Sequence, residues 1–200
     1  MSWSFWIILF ATIIYGVVHS LLASLQAKAL ARQWFGPVAG RWFRLFYNFF
    51  AVLTFLPILL LPAVLADKTI YRIPYPWYLF TGVIQFVAVG MLIVGVYQTG
   101  LMSFLGIRQL FGIADETNPQ LVVNGLYRYI RHPLYTAGLL FIWLVPVMTY
   151  NLLALNIGLT AYILIGAYYE ERKLLKEFGK DYAMYRQQTP MLIPRLRLKK

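Results

Sequence analysis

Apolar stretches long enough to cross a lipid bilayer recur along this sequence, and they constrain its fold more than any other feature. A membrane-spanning helix needs about 20 mostly apolar residues, because the hydrocarbon core is roughly 30 Å thick and a helix rises about 1.5 Å per residue. Five stretches meet or approach that length: Trp3–Ser24, Trp42–Ala66, Trp77–Gln98, Pro133–Thr149 and Leu152–Tyr169. The sequence therefore predicts an all-α integral membrane bundle of about five transmembrane helices.

The composition agrees with a membrane protein. Of the 200 residues, 60% are hydrophobic and 12% are charged, whereas an average soluble domain carries roughly 25% charged residues. The apolar stretches run from Trp3 to Tyr169, which leaves no room for a separate soluble module, so we expect one transmembrane domain over residues 1–200. The net charge of +11 would suggest a nucleic-acid partner in a soluble protein. Here we expect the lipid bilayer as the partner and no nucleic acid.

Basic residues concentrate on one side of the predicted bundle. Of the 18 Lys and Arg residues, only Lys68 and Arg72 lie in a loop of the opposite side. By the positive-inside rule, the basic side faces the cytoplasm. We therefore expect a multi-pass protein of the cell membrane, with its N-terminus outside and its C-terminus in the cytoplasm. The first stretch lacks the basic start of a signal peptide, so we expect it to be retained as a span.

Two segments differ from simple loops. Leu101–Ile113 is apolar but too short to cross the bilayer, which indicates an interfacial segment, interrupted by Arg108. After Glu171, apolar and aromatic residues recur at helical spacing among charged neighbours, which predicts a C-terminal amphipathic helix that lies on the membrane surface and ends at Pro190. The residues of this pattern are Leu174, Leu175, Phe178, Tyr182 and Tyr185.

Candidate chemistry gathers where the fourth and fifth stretches meet the basic side. Only Tyr150 and Asn151 separate these stretches, so we expect a tight antiparallel hairpin whose far ends lie together. The end of the fourth stretch carries Tyr127, Arg128, Arg131, His132 and Tyr135, and the end of the fifth stretch carries Glu170 and Glu171. Taken singly, the cations are typical membrane anchors, and Pro133 is a typical first residue of a helix. Acids at a membrane boundary are functional candidates, and their natural partners are the cations of the adjoining helix.

Other classes of site have little support. The two histidines, His19 and His132, are far apart in sequence and have no carboxylate at ligand spacing, so we expect no metal site. Cysteine is absent, which excludes disulfides and a cysteine nucleophile. No Ser lies in a nucleophile-elbow pattern. A channel or proton relay would require charges deep inside the spans, which the sequence does not provide.

Three motifs in order carry a family resemblance. They are Gly125–Tyr135 (GLYRYIRHPLY), the pair Glu170-Glu171, and Phe178–Tyr182 (FGKDY) followed by Tyr185. Together they resemble the membrane methyltransferases related to isoprenylcysteine carboxyl methyltransferase and to the phospholipid methyltransferases. Four further stretches are similar to the methanethiol S-methyltransferase and NnrU-like branch: Val18–Ser20, Gly106–Gln109, Pro146–Thr149 and Pro190–Pro194.

The resemblance implies that the chain uses S-adenosylmethionine and binds it within about residues 101–195. The implied cofactor-binding residues are Gly125, Tyr127, Arg131, His132, Pro133, Tyr135, Glu170 and Glu171. The cofactor's chemistry fits this set, because its carboxylate calls for arginine, its ammonium for glutamate, and its adenine and sulfonium for aromatic faces. The implied catalytic candidates are His132, Arg131 and Arg108; His132 is the nearest base, and His19 is a more distant choice.

The methyl acceptor stays open at this point. A small thiol and a lipid-attached group, either a prenylcysteine carboxylate or a phospholipid, both fit a site reached from the membrane. The main alternative function is a non-catalytic, NnrU-like membrane protein with an accessory or transport role in nitrogen-oxide metabolism, in which the basic cluster binds lipid headgroups. Saturable binding of S-adenosylmethionine would separate the two. The sequence does not indicate the oligomeric state.

Overall fold

The protein is described by a computed structural model that covers residues 2–107, 111 and 120–194, and its architecture there is predominantly helical. In chain order, the elements are α1 (Trp3–Leu22), α2 (Leu25–Val64), β1 (Thr69–Arg72), α3 (Trp77–Gln98), α4 (Leu101–Leu105), a 3-10 turn (Gly125–Arg128), α5 (Pro133–Trp143), β2 (Val147–Thr149) and α6 (Tyr150–Gln188). The predicted all-α class is confirmed.

Four helices of the described chain, α1, α2, α3 and α6, are long and apolar enough to cross a membrane. The chain is therefore a multi-pass membrane protein. The apolar part of α6 ends at Tyr169, so Glu170 and Glu171 lie beyond it. The exact number of crossings and the orientation of the termini remain predictions.

The fourth apolar stretch forms a shorter helix than expected. α5 has 11 residues and ends at Trp143 rather than at Thr149, so it is only about 16 Å long. Val145 precedes Pro146, and a proline disfavours helical backbone in the residue before it. The chain continues as β2, so the expected two-residue hairpin between Thr149 and Leu152 is replaced by a longer connection.

The second apolar stretch forms a longer helix than expected. α2 begins at Leu25 instead of Trp42, because the hydroxyl of Ser24 accepts a hydrogen bond from the backbone N of Ala27 (3.1 Å) and caps the helix start. Its backbone leaves the helical region at Gly36, where φ is 77°. Pro57 and Pro62 lie inside α2, in backbone with helical dihedrals.

The described chain divides into two compact units. Of the described residues, the first comprises 2–73, 101–107, 111 and 147–162, and the second comprises 74–100, 120–146 and 163–194. The prediction of a single domain over residues 1–200 stays a prediction. Of the expected interfacial segment, Leu101–Leu105 is the short helix α4, and most of the remainder lies outside the described residues.

The first unit has a core where α1 meets the start of α6. Phe5 and Ile8 of α1 and Ala154 and Leu155 of α6 are buried together. Beside this core, β1 pairs with β2 in antiparallel register, with Arg72 opposite Val147. The buried Asn151 closes this end, because its side-chain amide donates to the carbonyls of Leu65 and Ala66 (3.3 Å each).

The second unit is built on the packing of α3 against α5. Gly95 allows the two helices to approach, since a Cβ there would lie 2.7 Å from Cδ2 of Leu134. The side-chain amide of Gln85 donates to the carbonyl of Phe141 near the other end (2.8 Å). These contacts hold the start of α5 beside the end of α3, and the functional candidates lie at that start.

The predicted C-terminal amphipathic helix is present as the last part of α6, which ends at Gln188 before Pro190. The sequence pattern did not show the interruption at Gly179, where φ is 53°. A straight helix would separate Glu171 and Tyr182 by about 16 Å along its axis, yet their side chains are in hydrogen-bond contact (2.7 Å). The chain therefore turns back at Gly179, in a conformation that glycine adopts without strain.

The close approach of α1 to α6 in the first unit yields a testable prediction. A Cβ at Gly158 would lie 2.7 Å from Cγ2 and 2.9 Å from Cβ of the buried Thr12. Gly158→Ala should therefore destabilise the protein by about 1–3 kcal/mol through overpacking. Gly166→Ala in the same helix is the control, because no atom lies within 4 Å of a Cβ there. Thermal unfolding in detergent micelles measures both variants, and equal midpoints would contradict the helix contact.

Candidate functional site

A buried carboxylate, Glu171, is the centre of the candidate site in the second unit. Its side chain is 8% exposed and pairs with the equally buried guanidinium of Arg131. Nε of Arg131 donates to Oε1 (2.7 Å) and Nη2 donates to Oε2 (3.0 Å). This two-point geometry is the strongest that an arginine and a carboxylate can form, and it sets the orientation of both groups.

Three more side chains converge on the same carboxylate. Nε2 of His132 lies 2.9 Å from Oε1, and the hydroxyl of Tyr182 donates to Oε1 (2.7 Å). Nε of Arg186, whose side chain is half-exposed, lies 3.3 Å from Oε2. Glu171 is therefore held by two residues that follow the Gly179 turn and by two residues that immediately precede α5. We call Arg131, His132, Glu171, Tyr182 and Arg186 the Glu171 network.

The Glu171 network keeps its central acid ionised. Burial acts to raise the pKa of Glu171, but hydrogen bonds from Arg131, Tyr182 and His132, together with the charge of Arg131, outweigh it and lower that pKa below the ordinary 4.5. Burial, followed by the hydrogen bond to Glu171 and the charge of that acid, raises the pKa of Tyr182. The tyrosine therefore remains a neutral hydrogen-bond donor.

Backbone carbonyls of residues 186–191, which we call the C-terminal segment, accept hydrogen bonds from Arg131 and His132. The backbone N of Arg131 donates to the carbonyl of Pro190 (2.9 Å), and that of His132 donates to the carbonyl of Met191 (3.1 Å). Nη1 of Arg131 donates to the carbonyls of Arg186 and Thr189. The guanidinium is thus engaged at Nε and at both terminal nitrogens within the protein, which favours a positioning role for it.

Glu170 differs from its neighbour in exposure and in partners. Its side chain is 44% exposed, and its Oε2 accepts a hydrogen bond from the hydroxyl of Tyr135 (2.8 Å). Nδ1 of His132 lies 3.6 Å from the same oxygen. The rings of His132 and Tyr135 are stacked, with centroids 5.3 Å apart. A ligand can therefore reach the carboxylate of Glu170, which lies beside the aromatic rings of His132 and Tyr135.

Tyr127 belongs to the surroundings of Glu170. Burial and the negative charge of Glu170 raise the pKa of Tyr127 to about 12, so the phenol is neutral at physiological pH. Its backbone carbonyl accepts a hydrogen bond from the hydroxyl of Tyr185, and burial raises the pKa of Tyr185 to about 12 as well. The two tyrosines attach the 3-10 turn to the last part of α6.

Gly125 and Pro133 shape the backbone next to the site. Gly125 has a φ of 58°, and a Cβ there would lie 1.8 Å from Nε2 of Gln98. Oε1 of Gln98 accepts a hydrogen bond from the backbone N of Leu126 (3.2 Å), which fixes the turn against the end of α3. Pro133 is the first residue of α5, a position where its missing N–H is not needed. For both residues, contact with a cofactor remains a prediction.

The structure brings together most of the residues that the sequence singled out. Arg131, His132, Tyr135, Glu170 and Glu171 form one hydrogen-bonded set, but no observation tests their predicted roles in cofactor binding or catalysis. Arg108, the third predicted catalytic residue, lies outside the described residues. In the described ranges, no group of three or more His, Asp or Glu side chains is arranged so that it could hold a metal ion; the absence of a metal remains an expectation.

Sequence reasoning missed the part that Tyr182, Arg186 and Thr189 play in the site. Tyr182 was assigned to the apolar face of an amphipathic helix, and it is indeed 1% exposed. Its hydroxyl, however, donates to Glu171. The available signal was the glycine at position 179, which allows a reversal of the chain three residues before this tyrosine.

The comparison with protein families matches one part of the chain. The family model described as phospholipid methyltransferase matches residues 77–181, just over half of the chain. This range contains the 3-10 turn, α5 and both glutamates of the site. No solved structure matches the chain.

Several curated relatives are named for the same activity. Methanethiol S-methyltransferase 2 of Bradyrhizobium diazoefficiens is 48% identical over 36% of this chain and 27% of its own length. The methanethiol S-methyltransferase of Crocosphaera subtropica is 34% identical over 52% of this chain and 42% of its own. That of Mycobacterium tuberculosis is 35% identical over 46% and 39%. The chain thus spans less than half the length of these relatives.

The unequal burial of the two glutamates predicts unequal effects on stability. Glu171→Gln removes the charge that Arg131 needs and should destabilise the protein by about 3–5 kcal/mol, as for other broken buried ion pairs. Glu170→Gln is the matched control, and because its side chain is 44% exposed it should change stability by less than about 1 kcal/mol. Thermal or denaturant unfolding in micelles measures the difference.

The same pair of variants also has a predicted pH dependence. Because the folded pKa of Glu171 lies below its unfolded value near 4.5, its stabilisation is complete above that value and is lost as the pH falls through the folded pKa. The stability gap between wild type and Glu171→Gln should thus be constant from pH 8 to 6 and narrow below about pH 4.5. A gap that widens on acidification would refute this assignment.

Proposed function

Because this chain belongs to the phospholipid methyltransferase family, we propose that it is a membrane-embedded, S-adenosylmethionine-dependent methyltransferase whose acceptor is a small thiol. The observation that carries the proposal is the half-exposed Glu170, held beside Tyr135 by a hydrogen bond (2.8 Å) within the region that the family model matches. A carboxylate next to aromatic rings is what a ligand with an ammonium and a sulfonium requires.

The residues present fit the cofactor. When bound, S-adenosylmethionine supplies a methyl group attached to a positively charged sulfur. Glu170 would hold the ammonium group, and the rings of Tyr127 and Tyr135 would face the remaining positive charge. The half-exposed Arg186 is the basic residue of the network with surface to offer a carboxylate, whereas Arg131 is occupied by Glu171 and by backbone carbonyls.

The Glu171 network would act by fixing the geometry of the site. Arg131 and Tyr182 hold Glu171, which in turn holds Nε2 of His132. The stacked ring of His132 supports Tyr135, whose hydroxyl orients Glu170. Positioning dominates a displacement of this type, and a near-attack geometry can contribute roughly 7–11 kcal/mol to lowering the barrier. The network would keep that geometry without taking part in the bond changes.

The activity for which the relatives are named favours a thiol over the lipid-attached acceptors. They are methanethiol S-methyltransferases, and a thiol loses its proton easily enough that no strong base is needed. We propose that the thiol enters from the membrane, and that the cofactor arrives from the cytoplasm beside Glu170 of α6 and Arg131, which precedes α5. We also propose that the C-terminus lies in the cytoplasm and the N-terminus outside, as the positive-inside rule predicts.

Cofactor binding tests the proposal and predicts a specific loss. Purified protein in nanodiscs should bind radiolabelled S-adenosylmethionine saturably, and Glu170→Gln should raise Kd by at least about tenfold, as expected for a lost charge-assisted contact of about 1.4 kcal/mol or more. Glu177→Gln is the control, because it removes an exposed acid from the same helix and should leave Kd unchanged.

Two outcomes would overturn the proposal. Absence of saturable binding by wild type, with the protein folded by circular dichroism, would favour the non-catalytic NnrU-like alternative, in which the basic cluster contacts lipid headgroups. Equal effects of Glu170→Gln and Glu177→Gln would show that the cofactor is held elsewhere.

A further inference from the structure

A cavity of about 430 Å³ lies in the first unit, and no residue of the Glu171 network lines it. Its volume is in the range of small-molecule sites and far exceeds what a single ion or water molecule needs. The lining contains one acid, one base and two hydroxyl groups, which suits a polar ligand that carries charge. The lining residues are Ser2, Ala66, Asp67, Lys68 and Tyr150.

The cavity lies where three apolar helices of the first unit begin or end. Ser2 precedes α1, residues 66–68 follow α2, and Tyr150 is the first residue of α6. These helices are long and apolar enough to cross a membrane, so we expect these ends at the level of the lipid headgroups. Trp3 and Val64, within two residues of the lining in sequence, are 83% and 72% exposed. Their apolar surface can contact the acyl chains of a lipid.

Hydrogen bonds hold the charged part of the lining in place. The backbone N of Tyr150 donates to the carbonyl of Lys68 (3.1 Å). Oδ1 of Asp67 accepts hydrogen bonds from the backbone N of Lys68 (2.7 Å) and from that of Asn151 (3.1 Å). The loop that follows α2 is thus attached to the start of α6, and the carboxylate of Asp67 has a fixed orientation.

Three polar groups of the lining are left for a ligand. Among the residues that the structure describes, the ammonium of Lys68, Oδ2 of Asp67 and the hydroxyl of Tyr150 have no hydrogen bond or ion pair. Asp67 and Lys68 are adjacent in sequence, yet their charged groups are not paired with each other. The cavity therefore offers one positive and one negative group separately to its occupant.

We propose that this cavity binds the zwitterionic headgroup of a phospholipid that carries a primary amine, as an ethanolamine headgroup does. The phosphate lies at the ammonium of Lys68, and the lipid ammonium donates to Oδ2 of Asp67 and to the hydroxyl oxygen of Tyr150. One ligand from the membrane then pairs both charges of the cavity. The lipid takes no part in methyl transfer, so the inference does not depend on the proposed function.

The two charges discriminate between headgroups. A glycerol headgroup has a phosphate but no cation, so it leaves Asp67 unpaired beside a second negative charge. A choline headgroup has both charges, but its quaternary ammonium has no N–H to donate, whereas a primary ammonium has three. We therefore expect the ethanolamine lipid to bind most tightly and the glycerol lipid least tightly. The inference also gives a role to Lys68, one of the two cations predicted on the less basic side of the bundle.

Lipid binding to charge variants tests the proposal. Native mass spectrometry of the full chain in detergent micelles should show one ethanolamine lipid bound more tightly than choline or glycerol lipids with the same acyl chains. Lys68→Gln should raise Kd for the ethanolamine lipid about fivefold, as expected for one cation at a headgroup. Arg72→Gln is the matched control, because it removes an exposed cation four residues later, outside the lining, and should leave Kd unchanged. Asp67→Asn keeps Oδ1 as an acceptor and should abolish the preference over the glycerol lipid.

Three outcomes would overturn the proposal. They are equal affinities of wild type for the three lipids, equal effects of Lys68→Gln and Arg72→Gln, and displacement of the lipid by soluble glycerophosphoethanolamine at the concentration at which the lipid itself binds. The last result would mean that the ligand comes from solution rather than from the membrane. Thermal unfolding is a second readout: ethanolamine lipid should raise the midpoint of wild type and of Arg72→Gln more than that of Lys68→Gln. Should Asp67→Asn not fold, this comparison decides.

Discussion

The paired charges of Glu171 and Arg131 are the interaction on which the second unit depends. Both side chains are almost fully buried, and a buried charge is tolerated only when its partners replace the lost water. Arg131 is therefore surrounded by carbonyls of Thr189 and its neighbours, and Glu171 by Tyr182 and His132. The need to satisfy one ion pair draws the C-terminal segment, the last part of α6 and the start of α5 to one place.

This arrangement separates two adjacent glutamates into different roles. One helical step, about 100° of rotation, moves the side chain from a buried, fully engaged environment at Glu171 to a half-exposed one at Glu170. The first holds the surrounding side chains in position, while the second keeps a carboxylate within reach of a ligand. His132 links them, since its two ring nitrogens face one glutamate each.

Physical patterns in the sequence predicted the long apolar helices and most of the residues that the structure brings together around the two glutamates, but not the details that require tertiary contacts. Apolar length alone predicts α1, α3 and the first part of α6. The early end of α5 follows from Pro146, because a proline disfavours helical backbone in the residue before it. The continuous hydropathy of Pro133–Thr149 did not indicate this helix end. The partnership of Tyr182 with Glu171 depends on the reversal at Gly179, and the burial that distinguishes the glutamates depends on the C-terminal segment. No sequence pattern within a single helix indicates the chain reversal or the difference in burial.

An experimental structure with bound S-adenosylhomocysteine would test the central claim most directly, because that molecule retains the ammonium and carboxylate of the cofactor. The account predicts that the ligand ammonium lies within hydrogen-bond distance of Glu170, while Glu171 keeps its two-point contact with Arg131 and its bond from Tyr182. A ligand ammonium paired with Glu171, with Arg131 released to the ligand carboxylate, would contradict it.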